Sequence, residues 1–507
     1  MSENNKDSSK RHFIEDFLNP KSLTVFGANN NLMTTMGSMQ LRNIIAGGGL
    51  EEEIYPVHPR LEKVQGFKAY KSVFDIPIVP DLAFLILPTQ IVPEVMEQCG
   101  QKGIKRLIIT SGGFRESGST GRELSRKIDE IANKYNMRFI GPNCLGVFNG
   151  WFRYPEKKDA YLNTFWIYLP HKRGNISIVS QSGTIAAQTT WYTNDMGVKI
   201  GKSISVGNER NVDIVDLLEY FKNDPQTEVI GLYIEEIKRG KEFITLAKEI
   251  TPKKPIVAIY AGGTDAAARS IMSHTGSISG DDKIFDAVFK ETGIISTNSI
   301  LDFLCFLRTL SQAQSYHVYP RGKRVGIITD SGGPGAMMTK TAELYGLEIP
   351  EFSTRLQEEI AKDLPTTASA MNPIDATFHE NFLNMLIKFP KMLIKSKEVD
   401  SIIAFGIYDF DEIIDVIQSS GGQVNERMKE MENMIDKMVI FPIKKLMKKY
   451  SIPVFYAGPV PYRSSLMKKF SSSDIPVFSL WDQPTKCLAL LCQYSDYRRK
   501  HNIILSS

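Results

Sequence analysis

Apolar residues in this chain come in short continuous runs, each followed by a turn rich in glycine or hydroxyls and then by a stretch with helical spacing. Ser22-Leu23-Thr24-Val25-Phe26-Gly27 is a strand running into a glycine, and residues 36–46 follow as a helix. Ile54-Tyr55-Pro56-Val57 is a second short strand. Leu82-Ala83-Phe84-Leu85-Ile86-Leu87 is apolar on both faces, as a central parallel strand must be. Residues 94–102 read as a helix, Arg106-Leu107-Ile108-Ile109-Thr110 as a strand, and 119–135 as a long amphipathic helix, before Arg138-Phe139-Ile140-Gly141 closes the unit. Strands alternating with helices predict a doubly wound parallel sheet. Ligands of such sheets bind beyond the carboxyl ends of the strands. Those ends carry Gly27-Ala28-Asn29, Pro88-Thr89, Ser111-Gly112-Gly113 and Gly141-Pro142-Asn143. The first turn is not GxGxxG, and no acidic residue stands where a ribose binder needs one, which disfavours NAD.

Residues 151–173 break the alternation with aromatics and charges, and read as a connector laid over a surface. An aromatic acyl-group pocket is the other reading. A second alternating unit begins at Gly174. Asn175-Ile176-Ser177-Ile178-Val179 runs into Ser180-Gln181-Ser182-Gly183-Thr184 and a helix. Such a strand, turn and helix form either an anion site, with free N–H groups and the positive helix end facing the ligand, or an ordinary cap by Ser182. Val229-Ile230-Gly231-Leu232-Tyr233-Ile234 ends in Glu235-Glu236, and Pro255-Ile256-Val257-Ala258-Ile259-Tyr260 leads into the loop 271–280. Residues 315–322 read as a linker. The third unit repeats the scheme with Arg324-Val325-Gly326-Ile327-Ile328-Thr329, a glycine-rich turn through Gly332, Gly333 and Gly335, and a helix over 336–345. A second anion-binding helix end is expected there. Residues 412–450 are expected to be helical, their charges marking a solvated face or a subunit contact.

The loop Ile271-Met272-Ser273-His274-Thr275-Gly276-Ser277-Ile278-Ser279-Gly280 sets one histidine among hydroxyls and glycines. A neutral imidazole there is either a nucleophile toward phosphorus or the cap of a turn. The topology puts Ser182-Gly183, Glu235 and His274 at one edge of one sheet. A carboxylate beside an imidazole fixes its tautomer and its ring, so three strand ends supply an anion cradle, an orienting acid and a nucleophile.

Bulk properties narrow the class. At 507 residues the chain exceeds one core, and about three domains are expected, here 1–150, 174–314 and 322–507. A net charge of +4 is small for this length and argues against a dedicated nucleic-acid surface. Five scattered cysteines without a CxxC pair suggest neither a zinc site nor a disulfide framework, and no metal ligands are assigned. The polar start lacks the apolar core of a signal peptide, and no apolar run reaches membrane-spanning length. A cytoplasmic protein without membrane contact is expected, with a disordered tail at 1–9.

Several words match a known family in order and spacing: Ile140-Gly141-Pro142-Asn143-Cys144-Leu145-Gly146-Val147, Val179-Ser180-Gln181-Ser182-Gly183-Thr184, Ser205-Val206-Gly207-Asn208, residues 213–224 with Pro225, Tyr233-Ile234-Glu235, Ser273-His274-Thr275-Gly276-Ser277, Gly332-Gly333-Pro334-Gly335 and Asn372-Pro373-Ile374-Asp375. Over nearly the whole length the chain resembles the alpha subunits of ADP-forming acyl-CoA synthetases of the acetate–CoA ligase type. Its first two units also resemble the alpha subunit of succinyl-CoA synthetase. The resemblance implies a Rossmann-like CoA-binding domain followed by two flavodoxin-like domains. It implies that phosphate converts acyl-CoA to an acyl phosphate, that His274 takes the phosphoryl group, and that ADP receives it, reversibly. Glu235 would orient His274. Ser182, Gly183 and Thr184, with Gly332, Gly333 and Gly335, would hold phosphate. CoA would lie against Gly27, Gly37, Ser38, Arg60, Pro88, Ser111 and Asn143 at the strand ends of the first unit. No ATP-grasp module is recognised, so ADP, ATP and Mg2+ are expected on a beta subunit, in an α2β2 heterotetramer. His58-Pro59-Arg60 stands where the family often has Asn-Pro-Lys, and the first turn lacks the usual charged pattern. A non-catalytic CoA-binding scaffold on the same fold is the alternative, and the joint presence of His274, Glu235 and Ser182 speaks against it.

Overall fold

The computed structural model describes residues 11–33, 35–167, 173–267, 269, 280–377, 381, 383–424 and 434–501. The chain divides into two compact units, Met1–Trp191 with Lys199–Asn298, and Tyr192–Val198 with Ser299–Ser507.

In the first unit, β1 (Leu23–Phe26) and β2 (Ile54–Val57) pair side by side. A small hairpin of β3 (Lys63–Val64) and β4 (Phe67–Lys68) follows. β5 (Leu82–Leu85), β6 (Arg106–Ile109) and β7 (Arg138–Ile140) complete a parallel sheet of order β2-β1-β5-β6-β7. β1 and β5 are buried along their whole length, which is why they read as unbroken apolar runs. Strands are added to one side of β1 and then to the other, so the strand order reverses between the parallel neighbours β1 and β5, the crevice where such sheets take ligands. The helix Met36–Ala46 starts beside it, capped by the Thr35 side chain, which accepts from the Ser38 N–H.

A second sheet in the same unit has seven strands. They are β8 (Gly146–Asn149), β9 (Leu162–Asn163), β10 (Ile176–Ser180), β11 (Ile200–Ser205), β12 (Val229–Ile234), β13 (Ile256–Tyr260) and β14 (Ile295–Ser296), in the order β14-β13-β12-β10-β11-β8-β9. β8 runs antiparallel to β11, and β9 antiparallel to β8. The expected surface connector is therefore corrected in part. Phe152, Tyr161, Leu162 and Phe165 are buried. The amides of Gln40 and Asn43 donate to the carbonyls of Thr164 and Phe165 at 2.9 and 2.7 Å. Aromatics with backbone groups satisfied in this way belong to a core edge.

The second unit holds a parallel sheet of β15 (Val325–Thr329), β16 (Ile374–Asp375), β17 (Ser401–Phe405), β18 (Val454–Ala457) and β19 (Val477–Phe478), ordered β16-β15-β17-β18-β19. The helix Ile300–Tyr316 packs on Asp482–Lys500. Two expectations fail here. The turn Gly332-Gly333-Pro334-Gly335 is already helical, the first turn of Gly332–Leu344. Proline fits there because first-turn N–H groups have no helical partner anyway. The stretch 412–450 is not one helix: Phe410–Ser419 stops before Gly421, whose φ is +82°. A π-turn, Asn384–Lys388, precedes the helix Phe389–Ser396. Pro390 has no N–H for the Leu386 carbonyl, and the buried Tyr456 hydroxyl donates to it instead at 2.6 Å.

Candidate functional site

Every residue proposed for CoA stands beyond the carboxyl ends of the first sheet. Gly27 follows β1 with φ +88°, and a Cβ there would lie 1.9 Å from the Ile86 carbonyl oxygen. A Cβ on Gly37 would lie 2.7 Å from the Gly27 carbonyl oxygen, so the helix N-terminus is seated on this turn by two glycines. Ser38 is buried, and its Oγ accepts from the Asn29 N–H at 3.0 Å. Ser111 donates to the Leu87 carbonyl at 2.5 Å. Arg60 and Pro88 follow β2 and β5 and are exposed. Asn143 follows β7 with φ +59°.

The neighbouring edge of the second sheet carries the proposed phosphate turn. Ser180 Oγ accepts from the Ser182 N–H at 3.1 Å and donates to the Ser182 carbonyl at 2.7 Å. Ser182 Oγ accepts from the Ile185 N–H at 3.4 Å, so it caps the helix Gly183–Met196 while Thr184 stays exposed. The turn is thus capped by Ser182, and an anion bound there would meet the first-turn N–H groups that have no partner within the helix. In the second unit Thr329 makes the same pair of bonds to Ser331, at 3.2 and 2.8 Å. There the Ser331 hydroxyl donates to Asp330 at 3.0 Å, and Asp375 lies 3.3 Å from where a Gly332 Cβ would stand. Nothing lies within 4 Å of a Cβ built on Gly333.

Glu235 follows β12 and is 7% exposed. His274, with the rest of 270–279, lies outside the described residues. The described ends of its loop meet at β13: the hydroxyl of Tyr260, the last residue of the strand, donates to the Gly280 carbonyl at 2.9 Å. Tyr260 also stacks on Phe285 at 3.7 Å between centroids. Loop 261–280 therefore leaves and returns at the edge that carries Glu235 and Ser182.

Gln181 and Glu209, to which the sequence reading gives no role, tie this edge together. Gln181 Oε1 accepts the N–H groups of both Glu235 and Glu236, the latter at 3.0 Å. Its Nε2 donates to the Glu236 carbonyl and to Glu209 Oε2, both at 2.7 Å. Glu209 Oε1 accepts from the Ile214 N–H at 2.9 Å. Burial pushes the Glu209 carboxyl up to about 8; Lys238 pulls against that and Asp213 adds to it. The Lys238 ammonium donates to the carbonyls of Asn208 and Glu209 at 2.8 and 2.6 Å. Burial, with the Glu235 charge nearby, raises the Tyr233 hydroxyl to about 12.

Asn208 joins the two edges. Its Nδ2 donates to Glu116 at 2.8 Å and its Oδ1 accepts from Asn143 at 3.3 Å. Arg115 pairs with Glu236 at 3.2 Å. Gly207 permits this approach: at φ +57°, a Cβ would meet the Pro142 and Asn143 carbonyl oxygens at 2.4 Å. No described helix is long and apolar enough to cross a membrane. No group of three or more His, Cys, Asp or Glu among the described residues is placed to hold a metal.

The segments that carry the two edges each match a known domain family. A family described as a CoA binding domain matches residues 21–150, and one described as a succinyl-CoA ligase like flavodoxin domain matches residues 173–310. Fold and site thus define a CoA-ligase type of chain. The alpha subunit of Pyrococcus furiosus acetate–CoA ligase (ADP-forming) II is 34% identical over 451 residues, covering 87% of this chain and 94% of the relative. The isoform I alpha subunit is 37% identical over 72% of this chain and 76% of the relative. The chain belongs to the family of ADP-forming acetate–CoA ligase alpha subunits. The Methanocaldococcus jannaschii enzyme is 35% identical, but the match spans only 48% of its length. A solved structure of the Candidatus Korarchaeum cryptofilum dinucleotide-forming acetyl-CoA synthetase 1, in complex with phosphate and ADP, superposes with a TM-score of 0.78 at 28% identity, over 97% of this chain and 99% of that one.

Proposed function

We propose that this chain is the catalytic alpha subunit of an ADP-forming acyl-CoA synthetase, converting acyl-CoA, ADP and phosphate to a carboxylic acid, CoA and ATP. The observation that carries the reading is the meeting of two strand-end edges through Asn208 and Gly207, one matched to CoA binding and the other holding Ser182 and Glu235. CoA lies against Gly27, Gly37, Ser38, Arg60, Pro88, Ser111 and Asn143, with its thioester toward the second edge. Phosphate, held by N–H groups of Ser182, Gly183 and Thr184, attacks the thioester carbon. The C–S bond breaks, the thiolate leaves with a proton, and acyl phosphate remains. The His274 imidazole attacks phosphorus, and the carboxylate departs. The terminal phosphate oxygen of ADP then takes the phosphoryl group from His274. Glu235 holds the imidazole tautomer and steadies the charge.

ADP and Mg2+ are assigned to a partner subunit bearing an ATP-grasp fold, in an α2β2 assembly. The alpha-subunit names of the relatives support a separate partner. Gly332, Gly333 and Gly335 are proposed as a second anion-binding helix end. With Asp330 and Asp375 beside it, that end suits a phosphate accompanied by a cation. The test is ATP formation from acyl-CoA, ADP and phosphate by the chain with its partner subunit. His274→Asn is expected to abolish it while CoA binding stays intact. Substantial activity in that variant contradicts the reading.

A further inference from the structure

Four hydrogen bonds converge on one buried amide. Gln181 is 6% exposed. Its Oε1 takes the consecutive N–H groups of Glu235 and Glu236, and its Nε2 gives one bond to the Glu236 carbonyl and one to Glu209. A side-chain amide offers one acceptor with two lone pairs and two N–H donors, and all of this capacity is used. The consequence is geometric. β12 ends at Ile234, and the next two residues, Glu235 and Glu236, both give their N–H groups to Gln181 Oε1. The Gln181 side chain takes the place of a strand: it crosses from the end of β10 and pairs with the main chain of Glu235 and Glu236 on both its donor and its acceptor side. The same side chain reaches the end of β11 through Glu209. Its own backbone leads directly into the Ser182 turn.

We propose that Gln181 is a positioning residue: it holds the main chain of Glu235 and Glu236 in fixed register with the Ser182 turn, and so fixes where the Glu235 side chain starts relative to that turn. The inference rests on the synthetase reading and adds to it a residue that touches neither phosphate nor CoA. No other residue type serves equally well. Glutamate keeps the acceptor for the two N–H groups but, when ionised, has nothing to donate to Glu236 or Glu209. Leucine keeps the volume and leaves two N–H groups, a carbonyl and a carboxyl oxygen unpaired, which is costly at a buried site. Displacement of an orienting group by about 1 Å costs on the order of 100-fold in rate.

The experiment uses the full chain with its partner subunit and compares wild type, Gln181→Leu and Gln181→Glu. Gln181→Leu is expected to lower kcat about 100-fold, with the KM for CoA in the acid-activating direction and the calorimetric Kd for CoA unchanged. Gln181→Glu discriminates positioning from bulk folding. The carboxyl it introduces faces Glu209, Glu235, Glu236, Asp213 and the Lys238 ammonium. Once protonated it has one O–H and restores one of the two bonds the amide donates. Its activity relative to wild type is therefore expected to recover as pH falls from 8 to 6, with the Kd for CoA unchanged across that recovery. Wild-type kcat in Gln181→Leu overturns the assignment. So does a Gln181→Glu variant that binds CoA normally yet has the same relative activity at every pH. Absence of ATP formation by wild type with its partner would instead overturn the synthetase reading itself.

Discussion

Glu209 shows how a single buried group shapes this edge. Its carboxyl stands at about 8 against an ordinary 4.5, with burial the first cause. The unfolded chain ionises this group near 4.5, whereas the folded chain keeps its proton until about 8. Between those values the folded state binds more protons, so stability falls as pH rises, by up to about 1.4 kcal/mol per pH unit. Below 4.5 the penalty is absent. Glu209→Gln removes the ionisation but keeps only one of the two acceptor oxygens that Gln181 Nε2 and the Ile214 N–H use. Its melting temperature relative to wild type is therefore predicted to be higher at pH 8 than at pH 5. Thermal melts at the two pH values check this, and an equal shift at both contradicts it. Neither Glu209 nor Gln181 was legible as functional in the sequence. Their bond joins positions 28 apart, and the one from Glu235 to Gln181 joins positions 54 apart, distances at which only the folded sheet brings side chains together. The placement of Glu235 and Ser182 at one sheet edge was legible because each follows an apolar run, where topology alone assigns the edge.

At the scale of elements, the parallel strands were legible because burial on both faces leaves unbroken apolar runs. The two-residue strand β9 was not, since so short a segment has no period to read. The first turn of Gly332–Leu344 was hidden by its glycines, which mark turns elsewhere. Gly207 tests whether the approach of two edge loops matters. Its positive φ and the two carbonyl oxygens at 2.4 Å leave no room for a side chain. Gly207→Ala is predicted to cost about 2 kcal/mol of stability, through backbone strain and a forced separation of the loops. It is also predicted to weaken coupling between CoA release and phosphoryl transfer, so that kcat falls at saturating CoA. Denaturant unfolding and steady-state rates check both, and a fully stable, fully active variant contradicts the role given to this contact.

For the whole molecule, the relatives are named as alpha subunits, and the proposed reaction uses the two strand-end edges of the first unit. The central claim is that His274 carries the phosphoryl group between acyl phosphate and nucleotide. The most direct measurement is transfer of label from ATP labelled in its terminal phosphate to the chain, mixed with its ATP-grasp partner and mapped by peptide. The account predicts acid-labile, base-stable label on the peptide containing His274. That label should be discharged by ADP or by acid with CoA, be absent in His274→Asn, and be scarce when the partner is left out. Label on another residue, or stoichiometric labelling of His274→Asn, would contradict it.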